Sequence, residues 1–368
     1  MSNINSLLYN NYSSKNDDIE VTVSTKFKEE NLKIPIFEVS PNNIVKKSII
    51  IYGETGTGKT QIIRDIMFNC SKNFPDGSVF CPTNKDHGDY TGYFPNLLIF
   101  EDFGLHEITA IYERQQIKSN RYRNANDKDK LRELYEIIKN NNTSKYFSSL
   151  ETMCNKRKKE IESIISDGDR KMKRDRFNKY MDKKYIQFYK TCIKKYTSEV
   201  ENFSQSQQQI YQDLYFNPNT IVIFDDTMEE IKTLIKIGNK ENNQVIKNFF
   251  YKGRHLHITH IYTFQNEDKL DAGIKKNAFY SIFTTPDSAK GFFSKANMCK
   301  STHDKKRVSA CSDEIFGEGD KKYRVMVYAR LEYKHPFKYF KAELHDDFKM
   351  CDNIVWVYCK MIEDENKI

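Results

Sequence analysis

The chain has 368 residues and a net charge of +8, enough length for one large α/β domain or one domain with an insertion. Its 8 cysteines are scattered, with no C-x-x-C pair and none within metal-ligand spacing of another, which argues for reduced thiols in a cytosolic compartment and against a disulfide framework. Apolar runs are no longer than a strand and no charged-then-apolar leader opens the chain, so neither a membrane span nor a secretory signal is expected.

Residues 1–25 are rich in Asn, Ser and Asp with little periodicity, and read as a disordered arm. Residues 26–104 read as the first part of a nucleotide-binding core. Within them, 46–82 is a strand, a loop, a helix and a second strand at 78–81, the right-handed unit from which parallel sheets are built. Ile49, Ile50, Ile51 and Tyr52 form the first strand, and residues 61–68 open a helix with Ile62, Ile63 and Ile66 on one side.

Between strand and helix stands Gly53-Glu54-Thr55-Gly56-Thr57-Gly58-Lys59-Thr60, a complete match to G-x-x-x-x-G-K-[ST] in its proper context. Glycines let a backbone approach a polyanion, so that successive N–H groups converge on phosphate oxygens at the positive end of a helix. Lys59 adds a point charge for the β and γ phosphates. Thr60 offers a hydroxyl to Mg²⁺, a cation that prefers hard oxygen ligands. The loop reads the polyphosphate of ATP and leaves the base unread.

Residues 105–215 change character: charged, rich in Lys and Asn, nearly free of Gly and Pro. Leu131, Leu134, Tyr135 and Ile138 fall at helical spacing, as do Tyr185, Ile186, Tyr189 and Ile193. Asp167-Gly168-Asp169 is expected to turn between two such helices. We read a basic α-helical insertion whose segment 151–200 holds 15 Lys/Arg against 8 Asp/Glu. That excess suits a polyanion partner, and it equally suits a solvated helical face.

Residues 216–300 resume the core with Thr220-Ile221-Val222-Ile223-Phe224-Asp225-Asp226, a buried strand with two carboxylates at its carboxyl end, where ligands of open parallel sheets sit. Asp225 is the candidate to hold Mg²⁺, and Asp226 to polarise an attacking water. The alternative is a strand end and a cap for a helix over 228–237. Further on, Gly253-Arg254-His255 precedes a strand over 257–264 that ends at Gln265. The Gln265 amide is placed to sense a γ-phosphate, or is an ordinary solvent-facing strand tip. Arg254 is a candidate to stabilise charge on a transferred phosphoryl group. His255 and His257 fall opposite His260 on a strand, so no metal cluster is expected there. Another strand follows at 280–284. Residues 301–368 read as a β-rich extension, with a hairpin of 323–330 and 337–343 and a last strand at 354–358.

Four stretches taken together, GETGTGKT, CPTNKDHGDYTGYFP, IVIFDD and GRHLHITHIYTFQ, resemble the genome-packaging ATPases of large eukaryotic double-stranded DNA viruses, the group of poxviruses, African swine fever virus and giant viruses, within the FtsK-HerA superfamily of P-loop ATPases. The resemblance covers residues 46–104 and 216–300 and implies a RecA/FtsK-HerA-like, mostly parallel sheet flanked by helices. It further implies a motor that works as a homo-oligomeric ring, uses ATP and Mg²⁺, and threads double-stranded DNA into a preformed capsid, with capsid or vertex proteins as partners. Its expected place is the host cytoplasm, at the viral factory, and the virion. By this resemblance Lys59 and Thr60 take the phosphate and metal positions and Asp225 the second metal position. Asp226 falls where the superfamily carries an acidic base, often the longer Glu; Gln265 matches the sensor, and Arg254 an arginine supplied to a neighbouring subunit. The insertion at 105–215 exceeds the family core and suits either DNA contact or capsid docking. Two other functions fit the residues: a nucleotide-gated assembly factor with negligible turnover, and a small-substrate P-loop kinase. Against the kinase count the more than 160 residues between Thr60 and Asp225.

Overall fold

A computed structural model describes residues 18–24, 29–102, 104–141, 170–195, 203–240, 243–265, 271–294, 302–317, 324–332 and 334–366, with Thr152, Asn155, Lys156 and Lys159 as isolated helical positions. The strands are β1 (Ile19–Ser24), β2 (Glu29–Ile34), β3 (Ser48–Tyr52), β4 (Asp76–Phe80), β5 (Ile99–Phe100), β6 (Thr220–Phe224), β7 (Ile258–Phe264), β8 (Tyr280–Phe283), β9 (Arg324–Ala329) and β10 (Phe337–Lys341). β1 and β2 pair antiparallel as a separate ribbon. The other eight form one sheet in the order β10-β9-β8-β3-β7-β6-β4-β5. Every pairing from β8 to β5 is parallel, and β9 and β10 close the other edge antiparallel.

The helices are α1 (Pro41–Ile44), α2 (Lys59–Cys70), α3 (Asn84–His87), α4 (Leu105–Asn124), α5 (Lys128–Asn141), α6 (Arg170–Lys195), α7 (Gln205–Asp213), α8 (Met228–Lys240), α9 (Gln244–Lys252), α10 (Ala272–Asn277), α11 (Pro286–Ser294), α12 (Thr302–Phe316) and α13 (Asn353–Glu365). α2 on one face and α8, α9, α11 and α12 on the other cover the sheet, so β3, β6 and β7 are buried at nearly every position rather than at alternate ones. Side chains still alternate between the faces. Ile49, Ile51, Ile221, Ile223 and Ile261 pack with Ile62, Ile63, Ile66 and Met67 of α2. Ile50, Tyr52, Val222, Phe224 and Tyr262 pack with α8, α9, α11 and α12 on the opposite side.

Phe80, Phe224 and Tyr262 stand in register on adjacent strands, with ring centroids 4.9 and 5.2 Å apart. Offset aromatic pairs of this kind contribute about 0.5–1.5 kcal/mol each beyond their buried area. They fix the register of the three strands, because a slip of one residue would send each ring to the wrong face.

The chain divides into two compact units, one formed by Met1–Gln115 with Asn219–Ile368 and the other by Gln116–Pro218. The second has a core of its own, in which Leu131, Leu134, Tyr135 and Ile138 of α5 meet Phe188, Cys192 and Ile193 of α6 together with Phe203 and Leu214. Within it, Arg121 grips the buried Asp213 carboxylate through Nε at 3.1 Å and Nη2 at 2.6 Å. Ser204 and Gln207 close the start of α7 with a reciprocal capping box. The turn expected at Asp167-Gly168-Asp169 lies outside the described residues.

Three expectations are corrected. Residues 19–24 are a strand rather than part of an arm: Val21 and Val23 are buried in the core beside Ile34, while Glu20 and Thr22 are exposed. Residues 354–358 belong to helix α13, not a strand. A five-residue apolar run fits either period, and here the Cys-Lys-Met-Ile-Glu-Asp-Glu that follows continues the helix. Residues 301–368 therefore contain two helices around the β9–β10 hairpin rather than mainly strands.

His260 lies in the middle of β7, packed against Phe249 at 5.0 Å and flanked by Phe224 and Tyr262. It fits because residue 253 is glycine: a Cβ there would lie 2.3 Å from His260 Cε1. Burial pushes its imidazole pKa down to about 3, so the folded state holds the ring neutral. An unfolded histidine takes up its proton near pH 6.5, so acid favours unfolding between about pH 6.5 and pH 3, by roughly 1.4 kcal/mol per pH unit. In urea melts, wild type should lose about 2–3 kcal/mol more than His260→Phe between pH 7 and pH 4.5; equal losses would mean that this ring does not couple folding to acid.

Candidate functional site: a phosphate loop beside an acid pair

Because β3, β7 and β6 are parallel neighbours, their carboxyl ends lie at one edge. Tyr52 is paired with Phe264, and Phe224 with Tyr262. Gly53 N donates to Phe264 O at 3.0 Å, and Asp225 N to Phe80 O at 2.9 Å, so the hydrogen-bond ladders run directly into the loop and the acid pair. Strands sit about 4.8 Å apart, which puts the loop strand and the acid strand about 10 Å from each other with the Gln265 strand between them.

The loop's shape follows from its glycines. Gly56 (φ +77°) and Gly58 (φ +90°) adopt the left-handed region, and Gly58 caps α2. Gly53 is required for a different reason: a Cβ there would lie 1.8 Å from Thr284 Oγ1. Thr284, just beyond β8, holds the loop from the side, its hydroxyl 2.8 Å from Thr57 Oγ1 and 3.2 Å from Tyr52 O. Thr57 Oγ1 in turn donates to Glu54 O at 2.8 Å. Glu54, Thr55 and Gly56 are exposed at the tip, and Thr60 is half-buried in the first turn of α2. The buried Lys59 folds back into the loop, where Nζ donates to Gly53 O at 3.0 Å and Glu54 O at 2.9 Å. These carbonyls hold the ammonium at the mouth of the anion cradle.

Asp225 is only 6% exposed. Both carboxylate oxygens accept from hydroxyls: Oδ2 from Tyr90 Oη at 2.7 Å and Oδ1 from Thr263 Oγ1 at 2.5 Å. Burial raises its pKa above the usual carboxylate range; the two hydroxyls oppose that shift, the Asp226 charge adds to it, and the Lys59 charge works against it. Asp226 is exposed, with its backbone in the left-handed region (φ +52°). Its N–H donates to Thr263 Oγ1 at 3.1 Å, and its Oδ2 accepts from Gln265 Nε2 at 3.4 Å.

The structure thus brings the loop residues 53–60, Asp225, Asp226 and Gln265 to one sheet edge. Arg254 is not among them. It sits in a tight turn (Gly253–Leu256) before β7, with its guanidinium over the Phe279 ring at 5.4 Å. The seven residues of β7 place it roughly 20 Å from Gln265, at the opposite edge. Thr60, Asp225 and Asp226 are hard oxygen donors, and a buried carboxylate compensated only by two neutral hydroxyls and a coulombic share from Lys59 fits a hard cation such as Mg²⁺. Tyr90, Thr263 and Thr284 escaped sequence reasoning. A weak signal existed for Thr263, which shares a strand face with Gln265 two residues on; a tyrosine hydroxyl 135 positions from its acceptor leaves none.

This architecture, a glycine-rich loop running from a central parallel strand into a helix, with an acid pair two strands away at the same edge, decides the fold. The chain has the P-loop ATPase fold. No described protein family matches the chain. It is similar to protein B354L of African swine fever virus (isolate Pig/Kenya/KEN-50/1950), 26% identical over 345 residues that cover 89% of this chain and 91% of that one. A protein of Acanthamoeba polyphaga mimivirus is 30% identical over 86 residues, 23% of this chain and 30% of its own. Among solved structures, the pCW3 conjugation coupling protein TcpA with ATPγS gives a TM-score of 0.40 at 13% identity, covering 96% of this chain and 73% of that one. The genome packaging NTPase B204 of Sulfolobus turreted icosahedral virus 2 with ATPγS gives 0.35 at 12% identity, covering 84% and 100%. The fold assignment rests on strand order and loop geometry rather than on these partial superpositions.

A carboxylate buried this deeply stabilises the protein less when charged than when protonated. Since its folded pKa is raised, Asp225 weakens folding as pH rises through and above the unfolded value near 3.9. Asp225→Asn should therefore melt at a higher temperature than wild type at pH 7.5, with a smaller gain at pH 4; a variant less stable at pH 7.5 would show that the two hydroxyl bonds outweigh burial.

Proposed function

We propose that the chain is an ATP-hydrolysing motor that translocates double-stranded DNA and packages a viral genome into a preformed capsid. The observation that carries the reading is the meeting of Lys59 and the Asp225–Asp226 pair at one sheet edge, with Gln265 on the strand between them. A triphosphate entering the cradle replaces the Gly53 and Glu54 carbonyls as partners of Lys59, and the loop N–H groups take its oxygens. Thr60 and Asp225 are the residues that would hold Mg²⁺, which when bound supplies a Lewis acid on the phosphate oxygens. Asp226 orients the attacking water and accepts its proton. The Gln265 amide, bonded to Asp226, reports whether a γ-phosphate is present.

Arg254 cannot reach this site in its own chain, because about 20 Å of strand separates it from Gln265. It serves a neighbour only if a ring places the turn before β7 against the next subunit's loop. The excess of Lys and Arg at 151–200 suits contact with DNA phosphates, whose neutralisation releases counterions. Packaging and the capsid or vertex partners follow from the motif resemblance, as do the viral factory and virion as sites of action; the viral relatives are in keeping with them. No described helix is long and apolar enough to cross a membrane. A nucleotide-gated assembly factor is the second reading, favoured by the short side chain of Asp226 and its long 3.4 Å contact with Gln265.

Turnover of ATP should rise with duplex DNA, fall steeply with salt, and drop at least 100-fold in Lys59→Ala. Mixing Arg254→Ala with Lys59→Ala subunits should restore part of the activity if Arg254 acts across an interface. Hydrolysis indifferent to DNA at low salt would overturn the motor, and turnover unchanged in Asp226→Asn would favour the assembly factor.

A further inference from the structure

Residues 84–93 follow β4 at the same edge as the phosphate loop, and their packing has a use beyond filling space. Gly88, left-handed at φ +66°, ends α3 and turns the chain back. The buried Asn84 then accepts from Tyr90 N at 2.9 Å. Two contacts fasten the segment to α2, the helix that the loop caps: Arg64 Nη2 donates to Asp89 O at 2.8 Å, and its guanidinium lies 5.1 Å from the Tyr93 ring. From this anchored turn Tyr90 projects into the core among Ile223, Val79 and Phe94, fully buried, and places a lone hydroxyl on Asp225 Oδ2.

A hydroxyl in a buried position is costly unless bonded, and this one donates to the carboxylate that the proposed function gives to the metal. With Thr263 on Oδ1, the two donors leave Asp225 one orientation. A carboxylate held from two sides keeps a lone pair directed outward, and partners that orient a metal ligand typically matter 10- to 100-fold in metal affinity. On the reading of the site given under Proposed function, we propose that Tyr90 is a positioning residue that aims Asp225 at the nucleotide-bound Mg²⁺, with Thr263 as its counterpart on the other oxygen. The anchor through Arg64 ties that aim to the helix carrying Lys59 and Thr60, so the two halves of the cation's surroundings share one rigid support.

The test removes single atoms. Tyr90→Phe deletes only the hydroxyl, while Thr263→Val removes the other donor together with the acceptor of the Asp226 N–H, with Thr263→Ser as its restoring control. Binding of a fluorescent ATP analogue to the full-length protein is titrated with Mg²⁺, and repeated in EDTA; thermal melting checks the fold. The expected result is a Mg²⁺ half-saturation raised about tenfold in Tyr90→Phe and Thr263→Val, near wild type in Thr263→Ser, with affinity in EDTA unchanged in all. An unchanged half-saturation in a folded Tyr90→Phe overturns the proposal, as does an equal loss of affinity with and without Mg²⁺. Should wild type itself show no Mg²⁺-dependent nucleotide binding, the reading of the site fails rather than the role of Tyr90 alone.

Discussion

Everything at this sheet edge is arranged around one uncomfortable group, the buried carboxylate of Asp225. An ionised carboxylate removed from water is stable only with compensating donors or a cation. Two hydroxyls supply part of that compensation, and the Lys59 ammonium, held by its own loop, supplies a distant share. Burial still outweighs them and holds its pKa above the usual carboxylate range, which on the proposed function suits the position to a cation delivered with phosphate. A parallel sheet is what allows it, because strands running the same way bring their last residues, and whatever chemistry those carry, to a common border.

The same border explains why so many contacts are hydroxyl to carbonyl or hydroxyl to carboxylate. Thr57, Thr263 and Thr284 each occupy a place where a strand or loop stops pairing and its polar groups need partners. Threonine suits such places: it is β-branched, hence at home at a strand end, and its hydroxyl donates and accepts at once. Thr263 does both, accepting from the Asp226 N–H while donating to Asp225. The strand that carries Gln265 is thereby fastened to both acids.

Legibility in the sequence followed locality. The phosphate loop is eight consecutive residues whose chemistry is self-contained, and the acid pair ends a run of four apolar residues, so both could be placed without knowing any partner. Strand identity in the core was equally plain, since burial on two faces favours short runs rich in Ile, Val, Phe and Tyr. What escaped depends on distant partners. The strand at 19–24 holds only two buried valines and is defined by pairing with an equally polar neighbour at 29–34. The helix at 353–365 begins with a run that satisfies either period, and only its continuation decides. Tyr90 lies within CPTNKDHGDYTGYFP, yet its hydroxyl acquires meaning from an acceptor brought up by the fold.

Asp226 adopts a left-handed backbone that glycine would occupy without strain, whereas an L side chain gives up roughly 1 kcal/mol there. A protein shaped for durability alone would carry no side chain at this bend. A carboxylate occupies it instead, exposed and next to a buried carboxylate, so the bend gives up stability at the border where, on the proposed function, the attacking water would be oriented.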